Sequence, residues 1–386
     1  MDKGIFSVIS AIALNRYLGN KPDFSHNIID SLGSAEAFFK LSPKERKELV
    51  RPFSELGPLG DERVLEDAER EWKRLDAMGY RFLDIFDPLY PHLLKECPDA
   101  PILLYVRSES PLEEIFAPRK RIAVVGTRDC DSYGKEWCGK VVRCLSGLAE
   151  RPAIVSGLAI GVDIHAHLAA IEAGASTIAV SPVGIDDVYP RHHRDAAARI
   201  AASPGSAVIT DYPPGTVPYP GNFLRRNRII AGLADATILI QSRVRGGGMM
   251  TARLADSYGR QVFVLPGRID DSLNAGCNLL AAEKIAEPLV SLQALSAQLF
   301  PGCRPVKGRS LDQALREKFG TDPAVLEKYT GLCRLVKANR GADSDSLHEM
   351  SGIPFREVEI MLTGLENEGI ISRDLIGRCC INAKID

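Results

Sequence analysis

The chain has no Cys-x-x-Cys pair, no Gly-x-Gly-x-x-Gly run, no Gly-x-x-x-x-Gly-Lys-[Ser/Thr] loop and no apolar stretch of membrane-spanning length. Each absence removes a class of protein. Nine scattered cysteines without a paired motif give neither a zinc ribbon nor a redox site, and their expected state is the reduced one of the cytoplasm. The vicinal Cys379-Cys380 does not suit an ordinary disulfide. The two missing glycine patterns leave no standard dinucleotide fingerprint and no ATPase loop. The apolar run Ile5–Leu14 is short, ends in Asn15-Arg16, and lacks a basic leader and a small-residue cleavage site. It reads as a buried helix, so no membrane association is expected. Excess charge is also missing: 48 Lys+Arg face 50 Asp+Glu, a net charge of −2. Any nucleic-acid site must then be a local basic patch. His165-x-His167 and His192-His193 have no second ligand cluster at suitable spacing, so neither a metal nor another cofactor is expected.

What is present is an ordinary soluble composition, 45% apolar and 25% charged, over 386 residues, enough for two or three domains. Residues 1–81 read as a helical region. Ser42-Pro43 looks like an N-cap with proline at the first helical position, and Asp61–Met78 carries apolar residues at a helical period. The turn-rich Phe82–Arg107 ends in an expected strand, Ile102–Val106. From Arg121 the pattern changes. Short apolar runs at Ile122–Val125, Ile154-Val155, Thr177–Val180, Ala207–Thr210, Ala236–Ile240 and Gln261–Leu265 alternate with helical segments Gly134–Glu150, Ile164–Ala173, Arg226–Ala234 and Thr251–Tyr258. Buried strands alternating with helices predict an α/β fold with a doubly wound, mostly parallel sheet over residues 82–300. A linker is expected over 301–324, including Gly302–Arg309. Three helices and a two-stranded wing (Ile370–Ser372 with Arg378–Ile381) then suggest a winged-helix-like domain over 325–386. Its third helix carries Glu357, Glu359, Glu366 and Glu368, so protein contact suits it better than duplex reading.

Ligand chemistry is expected where strand ends meet glycine and arginine, along the carboxyl edge of the sheet. Gly126-Thr127-Arg128 follows the first strand of the α/β region. Ser156-Gly157 opens the turn to Gly161-Val162-Asp163, open between a phosphate-contacting loop and tight packing with Asp163 as a cap. Arg245-Gly246-Gly247-Gly248 leads to Thr251. The run Phe223-Leu224-Arg225-Arg226-Asn227-Arg228 is expected in or just before a first helical turn, where a helix dipole disfavours cations. A basic cluster beside free backbone donors is a receptor for phosphate. Together these loops outline an elongated anion-binding edge, with Tyr189, Tyr219 and Phe223 near enough in sequence to offer stacking faces.

The ordered set Gly126-Thr127-Arg128, Ser156-Gly157-x-Ala159-x-Gly161-Val162-Asp163, Tyr189-Pro190, Phe223-x-x-Arg226-Asn227-Arg228-Ile229-Ile230-Ala231-Gly232-Leu233, Thr251-Ala252, Pro266-Gly267 and Gly276-x-Asn278-Leu279-Leu280 resembles the DNA processing protein A (DprA/Smf) family of bacteria. The resemblance is strong over residues 82–285. It implies a Rossmann-like domain that binds and protects single-stranded DNA and helps load the RecA recombinase in natural transformation. It further implies a homodimer formed through that domain, and no established catalytic reaction. The implied DNA-binding residues are Arg128, Arg226, Asn227 and Arg228. Three departures stand out. Asp211 and Gln241 replace frequent glutamates, Leu224 a frequent proline, and no lysine precedes Phe223; Arg225, Arg243 and Arg245 are candidates to restore that charge. A nucleotide-hydrolysing, phosphoribohydrolase-like reading needs a glutamate where Leu254 stands, and a nucleotide-sensing protein with the same edge stays open. The N-terminal region is compatible with a sterile-alpha-motif-like or helix-hairpin-helix-like unit.

Overall fold

The computed structural model describes residues 3–18, 28–29, 31–51, 59, 61, 63–303, 311–320, 322–339, 341–374 and 377–381. The chain divides into two units, Met1–Cys303 and Arg304–Asp386.

Among the described residues of the first unit, nine strands form one sheet. They are β1 (Arg81–Asp84), β2 (Leu103–Arg107), β3 (Arg121–Val125), β4 (Ala153–Ser156), β5 (Thr177–Val180), β6 (Ala207–Thr210), β7 (Ala236–Leu239), β8 (Gln261–Val264) and β9 (Glu287–Pro288). Their order is β1-β2-β6-β5-β4-β3-β7-β8-β9. From β6 to β9 all neighbours are parallel, while β1 and β2 add an antiparallel edge. Helices α1 (Lys3–Leu18), α2 (Ala35–Lys40), α3 (Pro43–Val50) and α4 (Arg63–Ala77) precede the sheet among the described residues. Short α5 (His92–Lys95) and α6 (Leu112–Ile115) flank β2. Along the sheet follow α7 (Ser132–Ser146), α8 (Val162–Glu172), α9 (Arg194–Ala202), entered by a 3-10 turn over Arg191–His193, α10 (Pro220–Leu233), α11 (Gly247–Ser257), α12 (Ala275–Ala282) and α13 (Leu292–Leu299).

The strands form here because both faces of the sheet are covered. In β3, Ile122 and Val124 enter one apolar cluster with Val141, Val142 and Ala166. Ala123 and Val125 enter another with Ile229, Ile230 and Ala252. A strand buried on both sides reads as a continuous apolar run, which is why these strands stand out in the sequence. Ile12, Phe38 and Leu75 of the N-terminal helices belong to the same cluster as Val125, so that region shares the core of the sheet. Ser42 caps α3 in a reciprocal box with Glu45, and Pro43 takes the first helical position.

Three element boundaries differ from expectation. Helix α10 starts at Pro220, with Tyr219 as its N-cap, so the arginines lie more than a turn inside it and away from its positive end. Proline at the first helical position costs no hydrogen bond, and Pro-Gly-Asn therefore opens a helix where it read as a loop. Gly247 and Gly248 are likewise the first residues of α11 rather than part of a free loop. Asp163 is not the cap of α8; that position belongs to Gly161, and Asp163 lies in the first turn.

The second unit contains α14 (Leu311–Phe319), α15 (Pro323–Ala338), α16 (Ser344–Ser351) and α17 (Phe355–Asn367), then antiparallel β10 (Ile371–Arg373) and β11 (Cys379–Ile381). Helix α14 falls in the stretch expected to be linker, and its Ala314 and Leu315 are buried in this unit's core. Residues 304–310 of that expected linker lie outside the described residues. Arg373 neutralises part of the acidic face of α17, at 2.8 Å from Glu366 and 3.0 Å from Glu359.

Candidate nucleic-acid interface

The chain winds from β3 through β4 and β5 to β6 on one side, then returns to β7 and β8 on the other side of β3. The loops after β3 and β7 part at this switch point, where doubly wound folds commonly hold nucleotides. Here that crevice is narrow. The Thr127 N–H donates to the Gln241 carbonyl at 2.7 Å, carrying the ladder one step past the strands. A Cβ on Gly126 would meet Val162 Cγ2 at 2.5 Å and the Gln241 carbonyl at 2.9 Å. A Cβ on Gly248 would meet Leu239 Cδ1 at 2.6 Å and Gly126 Cα at 3.3 Å. Gln241 is buried and holds the next turn of chain: its Oε1 accepts from the Asp131 N–H at 3.4 Å, and its Nε2 donates to Asn274 at 2.9 Å.

Beside this closed seam lies a small cleft lined by Arg128, Gly157, Ala159, Ile160, Tyr189, Pro190 and Phe223. Arg128 is exposed, and its guanidinium carbon sits 4.7 Å above the Phe223 ring. Tyr189 meets the same ring edge-on, at 5.2 Å and 72°. A cation stacked on an aromatic, with apolar walls around it, suits both a phosphate and the flat face of a base. The loop under Arg128 is pinned by Gly161, whose φ of +86° takes a left-handed path that leaves no room for a Cβ: one would lie 2.2 Å from the Thr127 carbonyl oxygen.

The arginine run divides by depth. Arg225 is half-buried. Arg226 lies behind Gly157, its side chain 4% exposed, with Nη1 at 4.0 Å from Asp163. A Cβ on Gly157 would stand 1.5 Å from that Nη1, so glycine is what leaves room for the guanidinium directly behind the cleft wall. Among the described residues Arg226 Nε and Nη1 have no hydrogen-bond acceptor. Burial pulls the Arg226 pKa down to about 10, partly offset by Asp163, and burial pushes the Asp163 carboxyl up against the opposing pull of Arg226. Arg228 is also buried; it pairs with Asp211 and donates to the Asp99 carbonyl. Asn227 donates to the Gly247 carbonyl at 3.5 Å, and Thr251 donates to the same oxygen at 3.4 Å, joining α10 to α11. The Ser156 hydroxyl is committed to the Val124 carbonyl at 2.6 Å.

The sequence-derived residues are therefore only partly brought together. Arg128, Gly157 and Phe223 share one cleft, with Arg226 behind it. Arg245 and Gly247 are exposed further along the edge, at the start of α11, whose cap Gly246 supplies no side-chain acceptor. Ser156 and Arg228 are interior. Sequence reasoning missed Asp163 and Asp211 as buried counter-ions and Gln241 as the loop anchor. In the sequence the three stand out only as a candidate cap and as departures from a pattern.

The histidines hold structure. His165 is tied to the Gly161 carbonyl at 2.7 Å and His193 to the Leu158 carbonyl at 2.8 Å. Thr177 Oγ1 donates to the Ile154 carbonyl at 2.8 Å, so it must accept from His167 Nδ1–H, 2.7 Å away. Burial, and then the positive charge of Arg226, pull the His167 pKa from 6.5 to about 3. An unfolded chain takes up this proton below pH 6.5 and the folded chain only near pH 3. Stability from His167 is thus complete above the upper value and declines through the window, by at most about 1.4 kcal/mol per pH unit. Urea midpoints measured across that window should fall in the native chain and fall less in His167→Gln. Equal slopes in the two proteins would refute this.

The family model described as DNA recombination-mediator protein A matches residues 81–300. A DNA processing protein DprA from Streptococcus pneumoniae is 39% identical over 199 residues, 52% of this chain and 67% of that protein. A protein Smf from Synechocystis is 36% identical over 242 residues, 62% of this chain and 57% of that protein. Among solved structures, that of DprA from Streptococcus pneumoniae superposes with a TM-score of 0.62 at 28% identity, covering 77% of this chain and 99% of that one. A structure of DNA processing protein A from Helicobacter pylori, described for its single-stranded DNA binding mode, gives a TM-score of 0.51 at 31% identity over 57% of this chain and 95% of that one.

Proposed function

We propose that this chain, which belongs to the DNA recombination-mediator protein A family, holds single-stranded DNA along the carboxyl edge of its sheet and performs no chemistry on it. The observation that carries this reading is Arg128 stacked on Phe223 at the mouth of the Gly157 cleft. An exposed cation already seated on an aromatic needs little reorganisation to take a backbone phosphate while the ring and the apolar walls receive a base. Arg225, Arg245 and the uncapped start of α11 at Gly247-Gly248 extend the positive edge. Arg226 adds charge from behind the cleft wall. Gly126, Thr127, Ser156, Asn227, Arg228 and Thr251 serve by holding the loops and helices that shape it. In this reading the strand is protected and passed to the RecA recombinase during DNA uptake, with two chains acting as a homodimer. The acidic α17 suits a protein contact in that handover.

A nucleotide-hydrolysing reading has less support. Leu254 stands where a glutamate would be needed. The Thr127–Gln241 hydrogen bond crosses the crevice a nucleotide would enter.

The test is a titration of labelled oligonucleotides, single- against double-stranded, at several salt concentrations, with hydrolysis of nucleoside monophosphates assayed in parallel. Single strands should bind more tightly, with log affinity falling linearly against log salt. Arg128→Ala should flatten that slope by about 0.7 for each phosphate it leaves un-neutralised. Preference for duplex, or nucleotide turnover, refutes the reading. An unchanged slope in Arg128→Ala removes Arg128 from the site.

A further inference from the structure

A buried chain of polar groups runs from the N-terminal helices to the arginine helix α10. On α1, Arg16 pairs with Glu71 of α4, and the Tyr105 hydroxyl of β2 donates to the same carboxylate at 2.8 Å. The adjacent Asn15 donates its Nδ2–H to the backbone carbonyl of Asp211 at 2.7 Å. The Asp211 carboxylate pairs with Arg228, which also donates to the Asp99 carbonyl. The Asp99 carboxylate accepts from Tyr258, at the end of α11, at 2.7 and 2.9 Å to its two oxygens. Asn15, Tyr105, Asp211 and Arg228 are 1%, 0%, 3% and 4% exposed, so the Asn15–Asp211 and Asp211–Arg228 contacts are made away from water, where an unmade bond is costly, while Arg16 and Tyr258 at the two ends are partly exposed.

We propose that Asn15 is a positioning residue for α10, acting through Asp211 and Arg228. Asp211 directly follows β6, and the direction of its peptide decides where its carboxylate stands. Asn15 fixes that peptide through its carbonyl oxygen. The carboxylate then fixes Arg228, and a side chain held at one point along a helix sets its rotation about the axis. Phe223 and Arg225 lie on the same helix, so their presentation to the cleft depends on that rotation. Apolar packing by Ile229, Ile230 and Leu233 holds α10 to the sheet but is not directional. The polar chain supplies the direction. Asn15 lies outside residues 81–300, so the family match assigns it nothing.

The effect on binding rests on the single-strand reading above; the effect on α10 does not. The test uses the full chain with Asn15→Leu, of similar size and without the donor. Three quantities are measured: affinity for a labelled oligothymidine, thermal melting, and amide hydrogen exchange of α10 against α8. Affinity should fall about threefold to tenfold, the worth of one hydrogen bond. Exchange should rise in α10 and stay level in α8. Adding Asn15→Leu to Asp211→Asn should cost less than the sum of the two single losses. Native affinity in a folded Asn15→Leu, additive losses, or exchange rising equally in both helices overturns the proposal. Should the native chain fail to bind oligothymidine, the single-strand reading fails, and the exchange comparison alone decides the role of Asn15. If Asn15→Leu does not fold, Asn15→Ala, which adds no bulk, is read in the same way.

Discussion

Arg228→Ala is expected to lower the unfolding free energy by about 3–5 kcal/mol, because it leaves a buried carboxylate without its partner. The Asp211 side chain is 2% exposed and the Arg228 side chain 5%, so water cannot replace the lost guanidinium. The Asp99 carbonyl loses a donor at the same time. Urea unfolding reads the effect as a shift in midpoint with an unchanged slope. The double variant Arg228→Met with Asp211→Leu removes both charges and should recover most of the loss, since buried pairs replaced by apolar groups of similar volume are often close to neutral. A single variant as stable as the native chain, or a double variant no better than the single, would show that the pair is not an isolated buried ion pair. Arg128→Ala is the contrast: exposed and resting on Phe223, it should change stability little and act on DNA affinity.

The second large effect is expected at Gly157. A methyl group there would stand 1.5 Å from Arg226 Nη1 and 2.5 Å from Asp163 Oδ2, and both groups are buried. The guanidinium must move, which costs about 1–3 kcal/mol as overpacking does elsewhere. It also leaves its place behind the cleft wall, so oligonucleotide affinity should fall about tenfold if one charge-assisted hydrogen bond to the strand goes with it. Gly331→Ala is a suitable control, since a Cβ there meets nothing within 4 Å and the residue lies inside α15. Gly157→Ala with native stability would mean that Arg226 is not held behind the glycine. Native affinity in a destabilised Gly157→Ala would mean that Arg226 does not reach the bound strand.

Much of the architecture is legible in the sequence. Thr177–Val180 and Ala207–Thr210 are strands over the expected residues. A parallel strand buried on both faces must be an apolar run, and the polar residues that end it stand out. The alternation of such runs with helical segments placed Gly126, Gly157, Arg245 and the arginine run at one edge of the sheet before any distance was known. Local rules were less decisive at helix starts. Pro220-Gly221-Asn222 and Gly247-Gly248 look like turns, yet the first turn of a helix has free N–H groups and tolerates both proline and glycine.

By itself the sequence determined the α/β winding, the edge on which the candidate site residues sit, and the residues that carry the family likeness. Only the tertiary structure decided which arginines face outward. Arg128 and Arg245 are exposed, whereas Arg226 and Arg228 are sunk against Asp163 and Asp211. Each of these two buried guanidiniums is met by a carboxylate from another element, Asp163 in the first turn of α8 and Asp211 just after β6. The same holds for Asn15, whose partner is a backbone carbonyl at the far end of β6. Periodicity reports which face of an element is apolar. Which polar group another element sets against it depends on how the elements pack.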